Sequence, residues 1–323
     1  ISLLGQALAA LCYLGGTFPW MLVAGVGYMA AGSLLTGTGE ALFFEYLKSQ
    51  KREADHLRLS GEGKSFSRIF NILSVTAGGF SYTIHPFLPF IICSAQFILA
   101  AGVISTFPNI KQRASVEKTE GMMALLQHFP NAIKTIWREP RLFWMVLVNA
   151  FILGSTFGSA DFQQIIFQNL GATATFIGIV YALKRILSLL LSSRVHLLAK
   201  HMRPAQLMTL LSVLCLLHYM LIPIALTAVT LTIVVLIAST VFAILEVAYN
   251  DYMNQLINSH SRATTLSVSN FTRTFVSILV VASFGFLSHM VSVTNIYPII
   301  GVIQAVILII PLVMLARAYR FAH

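Results

Sequence analysis

Charge is what this 323-residue chain has least of, and acids are scarcest: 21 Lys and Arg stand against 11 Asp and Glu. Four tracts, residues 1–39, 69–110, 204–245 and 274–316, contain no Asp, Glu, Lys or Arg at all. With 57% hydrophobic residues, 10% charged and a mean hydropathy of +0.81, the composition excludes an ordinary soluble domain. The tracts are continuously apolar rather than alternating, which argues against a membrane β-barrel. Cysteine is nearly absent, and Cys12, Cys93 and Cys215 all fall inside apolar tracts without paired spacing, so they read as small buried hydrophobes. No His, Cys or carboxylate cluster has metal-site spacing, so neither metal nor cofactor is expected, and His85 and His218 read as hydrogen-bonded packing residues. A signal peptide is not supported either, because Ile1 opens directly inside an apolar segment with no basic region before it.

What is present is a series of ten apolar stretches, at roughly residues 1–16, 20–46, 66–84, 86–107, 142–166, 173–198, 205–226, 229–253, 263–289 and 296–316. A helix needs about 20 apolar residues to cross a bilayer, so this is the pattern of a polytopic all-α membrane protein. The connectors alternate. One set (around 15–19, 84–87, 167–172, 226–229 and 289–296) lacks Lys and Arg; the other set and the C-terminal tail hold most of them. Positive charge resists translocation, so the basic connectors and the C-terminus are expected in the cytoplasm. Topology and attraction to anionic lipid then account for the formal net charge of +10, and no nucleic-acid partner is expected. The longest connector, residues 108–141, divides four stretches from six. Within it Met122, Leu125, Leu126, Phe129, Ile133 and Trp137 recur at helical spacing, the pattern of an amphipathic helix on the cytoplasmic surface.

An internal repeat organises the chain. Glu40-Ala-Leu-Phe-Phe-Glu45-Tyr46-Leu47 and Glu246-Val-Ala-Tyr-Asn-Asp251-Tyr252-Met253 place an acid, a second acid and a Tyr in the same order at a constant offset of about 206 residues. Each copy is followed by a polar loop and two further apolar stretches. Parallel repeats of equal size would each need six helices, so two helices are expected before Ile1 and the chain reads as a truncated one.

These residues resemble the major facilitator superfamily. Tyr252-Met-Asn-Gln-Leu-Ile-Asn-Ser-His-Ser-Arg262-Ala-Thr-Thr-Leu-Ser267 is similar to the run between the tenth and eleventh helices of many bacterial members, with Asn258 where Pro is usual. Thr36-Gly-Thr-Gly-Glu40-Ala-Leu-Phe-Phe-Glu45 resembles the end of the fourth helix, and Gly178-Ile-Val-Tyr181-Ala-Leu-Lys-Arg185 the start of the eighth. Leu197-Leu-Ala-Lys200-His-Met-Arg203 is a degenerate form of the superfamily's basic loop motif, and residues 74–83 do not reproduce its antiporter signature. The resemblance covers the chain as helices three to twelve. It implies two pseudo-symmetric bundles: an incomplete one of four helices at 1–107, a linker with the amphipathic helix at 108–141, and a six-helix bundle at 142–323. It also implies that stretches 1–16, 86–107, 205–226 and 296–316 face lipid at the periphery.

Charges inside spans are costly, about 2.5–3.5 kcal/mol each even on insertion scales, so each is a functional candidate. Tyr181, Arg185, Ser188 and Ser192 share one helical face suited to a cavity, whereas the adjacent Lys184 points elsewhere and reads as a snorkelling or structural cation. Asn270, Arg273 and Ser277 form a second polar stripe. Asp161, on a face with Gly154, Phe157, Gly158 and Gln164, is the candidate proton-coupling carboxylate, with a water-exposed rim acid as the alternative. Glu40, Glu45, Glu246 and Asp251 lie too near cytoplasmic helix ends for a midplane site. They are gating candidates, with Arg194, Lys200, Arg203 and Arg262 on the same side, or else static surface ion pairs.

The expected function is secondary transport of a small solute by rocking of two bundles around a midplane cavity, with direction and proton coupling left open. The expected setting is a bacterial inner membrane with the chain as a monomer. An enzyme is not expected, since no catalytic constellation occurs at working spacing. The competing reading is a transport-inactive sensor or scaffold, or an inactive fragment of a transporter.

Overall fold

The computed structural model describes residues 2–35, 43, 46, 47, 50, 52, 56–106, 134, 136–257 and 262–320. The described residues are almost wholly helical. Chain order gives α1 (Ser2–Cys12), α2 (Phe18–Leu35), α3 (His56–Ile84), α4 (Leu88–Ser105), α5 (Pro140–Ala160), α6 (Phe162–Asn169), α7 (Ala174–Ser192), α8 (Val195–His201), α9 (Pro204–Leu221), α10 (Ala228–Leu256), α11 (Arg262–Leu287) and α12 (Val293–Arg320). Among the described residues, seven helices are long and apolar enough to cross a membrane, and three shorter apolar segments, Ser2–Gly15, Phe18–Gly32 and Ile69–Ile84, accompany them. These elements fall on the ten apolar stretches of the sequence. The expected amphipathic helix falls outside the described residues apart from its last turn, at Lys134 and Ile136–Arg138.

Local chemistry sets the helix ends. Pro140 and Pro204 occupy first-turn positions, where the missing N–H costs nothing and the fixed φ favours helix. Thr227 opens α10 with a reciprocal cap: its hydroxyl accepts from the Thr230 backbone N–H, and its own N–H donates to the Thr230 hydroxyl. Gly16 (φ 66°) and Gly171 (φ 78°) supply the left-handed turns of two short connectors.

The chain forms two compact units, residues 1–117 with 173–182, and 118–172 with 183–323. In the first unit α1 lies against α2 and α4. Small residues allow that approach: a Cβ on Gly5 would meet the Ala31 Cβ at 3.0 Å, and one on Gly27 the Ala9 Cβ at 3.4 Å. Tyr13 stacks on Phe90 with ring centroids 4.7 Å apart. In the same unit α3 meets the start of α7 backbone to backbone, where a Cβ on Gly79 would fall 2.6 Å from the Ala174 carbonyl oxygen.

The second unit is built around α5, 72% of whose span is buried. It packs against α11 and α12 most extensively, and also against α9 and α10. Leu142, Met145, Val148, Ile152 and Leu153 face inward, each essentially without exposed surface. Near the other end an aromatic cluster closes the core, with Phe162 stacked on Phe284 at 4.4 Å and Phe284 edge-on to Tyr297 at 4.9 Å. The outward faces of α9 and α12 are apolar, with Val213, Leu217, Val306, Ile310 and Val313 exposed, as suits lipid. Their inward faces set Ser212, His218 and Gln304 among apolar residues, and those buried polar side chains position the site.

Candidate functional site

Among the apolar helices of the first unit, the segments Ser2–Gly15, Phe18–Gly32, Ile69–Ile84 and Leu88–Ser105 carry no Asp, Glu, Lys or Arg. Among the described residues, charge within spans belongs to the second unit. Lys184 and Arg185 are the eleventh and twelfth residues of α7, about 16 Å along its axis. They diverge as their adjacency requires. Arg185 is exposed, while Lys184 turns toward α6 and its Nζ donates to Gln163 Oε1 at 3.4 Å.

That contact is the first link of a directional chain. The Gln163 side chain is buried, and its Nε2 lies 3.4 Å from Nε2 of the fully buried His218. His218 Nδ1 lies 3.0 Å from the Val234 carbonyl oxygen. Lys184 can only donate and the carbonyl can only accept, so both ends are fixed. Gln163 must therefore accept from Lys184 and donate to His218, and His218 must be neutral with its proton on Nδ1, donated to Val234. One lysine is thus anchored through three helices into the core.

A second polar group lies deeper in the same unit. Ser155 Oγ donates to Gln304 Oε1 at 2.8 Å, Gln304 Nε2 approaches Cys215 Sγ at 3.5 Å, and Ser159 Oγ meets Tyr219 OH at 3.0 Å. The Tyr297 hydroxyl donates to the Ser159 carbonyl at 2.6 Å. Hydrogen bonds of this kind join helices where lipid offers no competing partner. Asn149, also buried on α5, has an Oδ1 without a hydrogen-bond partner among the described residues.

Arg273 sits one helix away, half-buried, with its guanidinium carbon 5.4 Å from the centroid of the Phe157 ring. Phe157 in turn packs edge-on against Phe242 at 5.1 Å. The position of Arg273 is set by glycine. A Cβ on Gly154 would lie 2.7 Å from the Arg273 carbonyl oxygen, and one on Gly158 2.6 Å from that of Ser277. The small residues at i and i+4 of α5 therefore let α11 approach backbone to backbone, a small-x-x-x-small crossing.

Asp161 is exposed and occupies the junction between α5 and α6, in helical conformation (φ −73°, ψ −28°). The single stretch read at 142–166 is thus two helices meeting at the acid. The glycines placed on its face prove to be the α11 contact. Tyr181 and Ser188 are half-buried, and Tyr181 belongs to the part of α7 that lies in the first unit. Asn270 is exposed and Ser277 half-buried, on the same helix as Arg273.

Of the gating candidates, Glu246, Asp251, Arg194, Lys200 and Arg203 are exposed. Asp251 accepts from Gln255 Nε2 at 2.9 Å, and the Arg203 backbone N–H donates to Gln206 Oε1 at 3.0 Å. Neither Glu246 nor Asp251 forms an ion pair with these cations in this conformation. Glu40 and Glu45 lie outside the described residues, as does the side chain of Arg262 at the start of α11.

The helices, their polar inward faces and their glycine crossings now stand beside the sequence motifs. The model of the Major Facilitator Superfamily matches residues 1–281. The chain belongs to the Major Facilitator Superfamily. It is accordingly a multi-pass membrane protein of a transporter family. Among solved structures, it is similar to a bacterial homologue of the human lysosomal transporter Spinster in two inward-facing forms. The unoccupied form gives a TM-score of 0.62 at 15% identity, and the occupied form 0.65 at 16%. Each match covers 99% of this chain and 81% of the other, and at that identity the likeness is one of fold. No curated protein matches the chain.

Sequence reasoning singled out Arg185 and Arg273 but passed over Gln163, Ser155 and Gln304. The available signal was uncharged polar residues inside apolar tracts: Gln163, His218 and Gln304 stand out there by type alone. The glycine crossing was also legible as Gly154-Ser-Thr-Phe-Gly158, though its partner helix was not.

Proposed function

We propose that this superfamily member is a secondary transporter that moves a small anionic solute across a bacterial inner membrane by alternating access, acting as a monomer with its basic connectors and C-terminus in the cytoplasm. The observation that carries the reading is the placement of charge: among the described residues of the spanning helices, Lys184, Arg185 and Arg273 lie away from the helix ends and Glu246 is the one acid that does so, with Asp161 at the end of its helix. Intramembrane ionisable residues mark solute and ion pathways, and a cationic excess in a low-dielectric path attracts anions. Arg185 and Arg273 are the solute-contacting groups in this reading, supported by Tyr181, Ser188, Asn270 and Ser277. Asp161 is the proton-coupling carboxylate, and Glu246 and Asp251 pair with Arg194, Lys200 or Arg203 in the alternate state to gate the cytoplasmic side. Glu40, Glu45 and Arg262 take the corresponding gating roles from their sequence positions.

The test is flux into proteoliposomes for a panel of labelled carboxylates, sugars and organic cations, with and without a proton gradient. Carboxylates are expected to be transported. Arg185→Gln and Arg273→Gln should each reduce that flux by about tenfold or more, the equivalent of one lost charged hydrogen bond. Asp161→Asn should abolish the gradient dependence while leaving exchange intact. Flux of no solute in the panel, in a protein that remains folded, would favour the transport-inactive scaffold instead.

A further inference from the structure

At the cytoplasmic end of the second unit, the start of α5 and the end of α12 leave a cleft of about 520 Å³ between them. Its walls are of two kinds. Glu139, Arg141 and Arg317 form a polar rim, and Trp144 and Met314 an apolar side. Arg141 and Glu139 neutralise one another, with Arg141 Nε 2.7 Å from Glu139 Oε1. Arg317 is exposed and leaves the cleft with a net positive charge.

Two further observations fix what such a cleft meets. Trp137 packs on Phe143 at 5.0 Å and Phe143 on Trp144 at 4.8 Å, an aromatic cluster of the kind that settles at the membrane–water interface. The cleft therefore lies at headgroup depth on the side that carries the basic connectors. Arg317 also ends a stripe on α12 at i, i+3 and i, i+4 spacing: Val302, Val306, Ile310 and Val313 are all exposed and apolar. A phosphate at Arg317 would continue into an acyl chain lying along that stripe.

We infer that this cleft is a binding site for a single anionic phospholipid, its phosphate held by Arg317 with the freed edge of Arg141 and its acyl chain running along α12. Charge and depth select the headgroup. The apolar stripe selects a lipid over a free phosphate. Nothing in the site depends on what the protein transports.

Native mass spectrometry of the whole purified chain, with palmitoyl-oleoyl phosphatidylglycerol or phosphatidylcholine added back, tests it. One phosphatidylglycerol should be retained in preference to phosphatidylcholine. Arg317→Gln should lower that retention about fivefold, the effect of one basic residue at a charged lipid surface. Arg317→Lys should largely restore it, and Lys200→Gln, which removes an exposed cation elsewhere on the same side, should leave it unchanged. Equal retention of the two lipids, or equal loss in Lys200→Gln, would overturn the site. Tight binding of glycerol 3-phosphate at the same affinity would overturn its assignment to lipid.

Discussion

Gly158→Ala is the sharpest perturbation of this fold, because one methyl group must go where backbone already is. The added Cβ would stand 2.6 Å from the Ser277 carbonyl oxygen and 2.9 Å from the Val280 Cβ. Ordinary contact begins at 3.4 Å, so α5 and α11 must part by about 0.8 Å at this point, and neither obstacle is a flexible side-chain end. Overpacking of this sort costs about 1–3 kcal/mol. Replacing a mid-helix Gly by Ala returns about 0.5–1 kcal/mol of helix propensity, so the net loss should lie between about 0 and 2.5 kcal/mol, centred near 1 kcal/mol. For a chain of this size each kcal/mol lowers the unfolding midpoint by about 1.5 °C. The control is Gly285→Ala on α11 itself, where nothing lies within 4 Å of the new Cβ, and which should leave the midpoint unchanged or raise it slightly. Thermal unfolding in detergent, followed by tryptophan fluorescence, reads both. If Gly158→Ala and Gly285→Ala shift the midpoint alike, the close crossing of α5 and α11 does not hold the second unit together and the reasoning fails. Because Gly154 abuts the Arg273 carbonyl, Gly154→Ala should in addition reduce transport per folded molecule.

Two other outcomes follow from particular contacts. Gln163→Leu removes the link between Lys184 and His218, and a double-mutant cycle with His218→Phe should give a coupling of about 0.6–1.7 kcal/mol; strict additivity of the two losses would mean the chain contributes nothing. The Glu139 carboxyl is held below its usual range by the hydrogen bond from Arg141, against a smaller opposing effect of burial. A depressed carboxyl stabilises the fold above its unfolded value, near 4.5, and that contribution disappears as pH falls through the lowered value. Both partners are about one-third exposed, so solvent screening keeps the effect below about 1 kcal/mol. Glu139→Gln should accordingly flatten the fall in unfolding midpoint between about pH 5 and pH 3, and an unchanged acid limb would refute the pairing.

The sequence by itself determined the kind of molecule and the order of its helices. Apolar tracts free of charge can only be satisfied by helices in lipid, and that effect acts on each segment separately. The family was legible for the same reason, since its motifs are short and local. Intramembrane charges could be named from the sequence but not aimed. Lys184 and Arg185 were separable by about 100° of helix rotation, yet which of them turned toward a neighbour depended on α6 presenting Gln163. Likewise the glycines beside Asp161 were visible, but only packing showed that they seat α11 rather than line a water-filled face. His218 and Gln304 lie on tracts that the family resemblance implied to face lipid, and it took the inward faces of α9 and α12 to place them in the core. Tertiary structure decided these points because a hydrogen bond between helices needs two directions and one distance to agree, and no single segment holds all three.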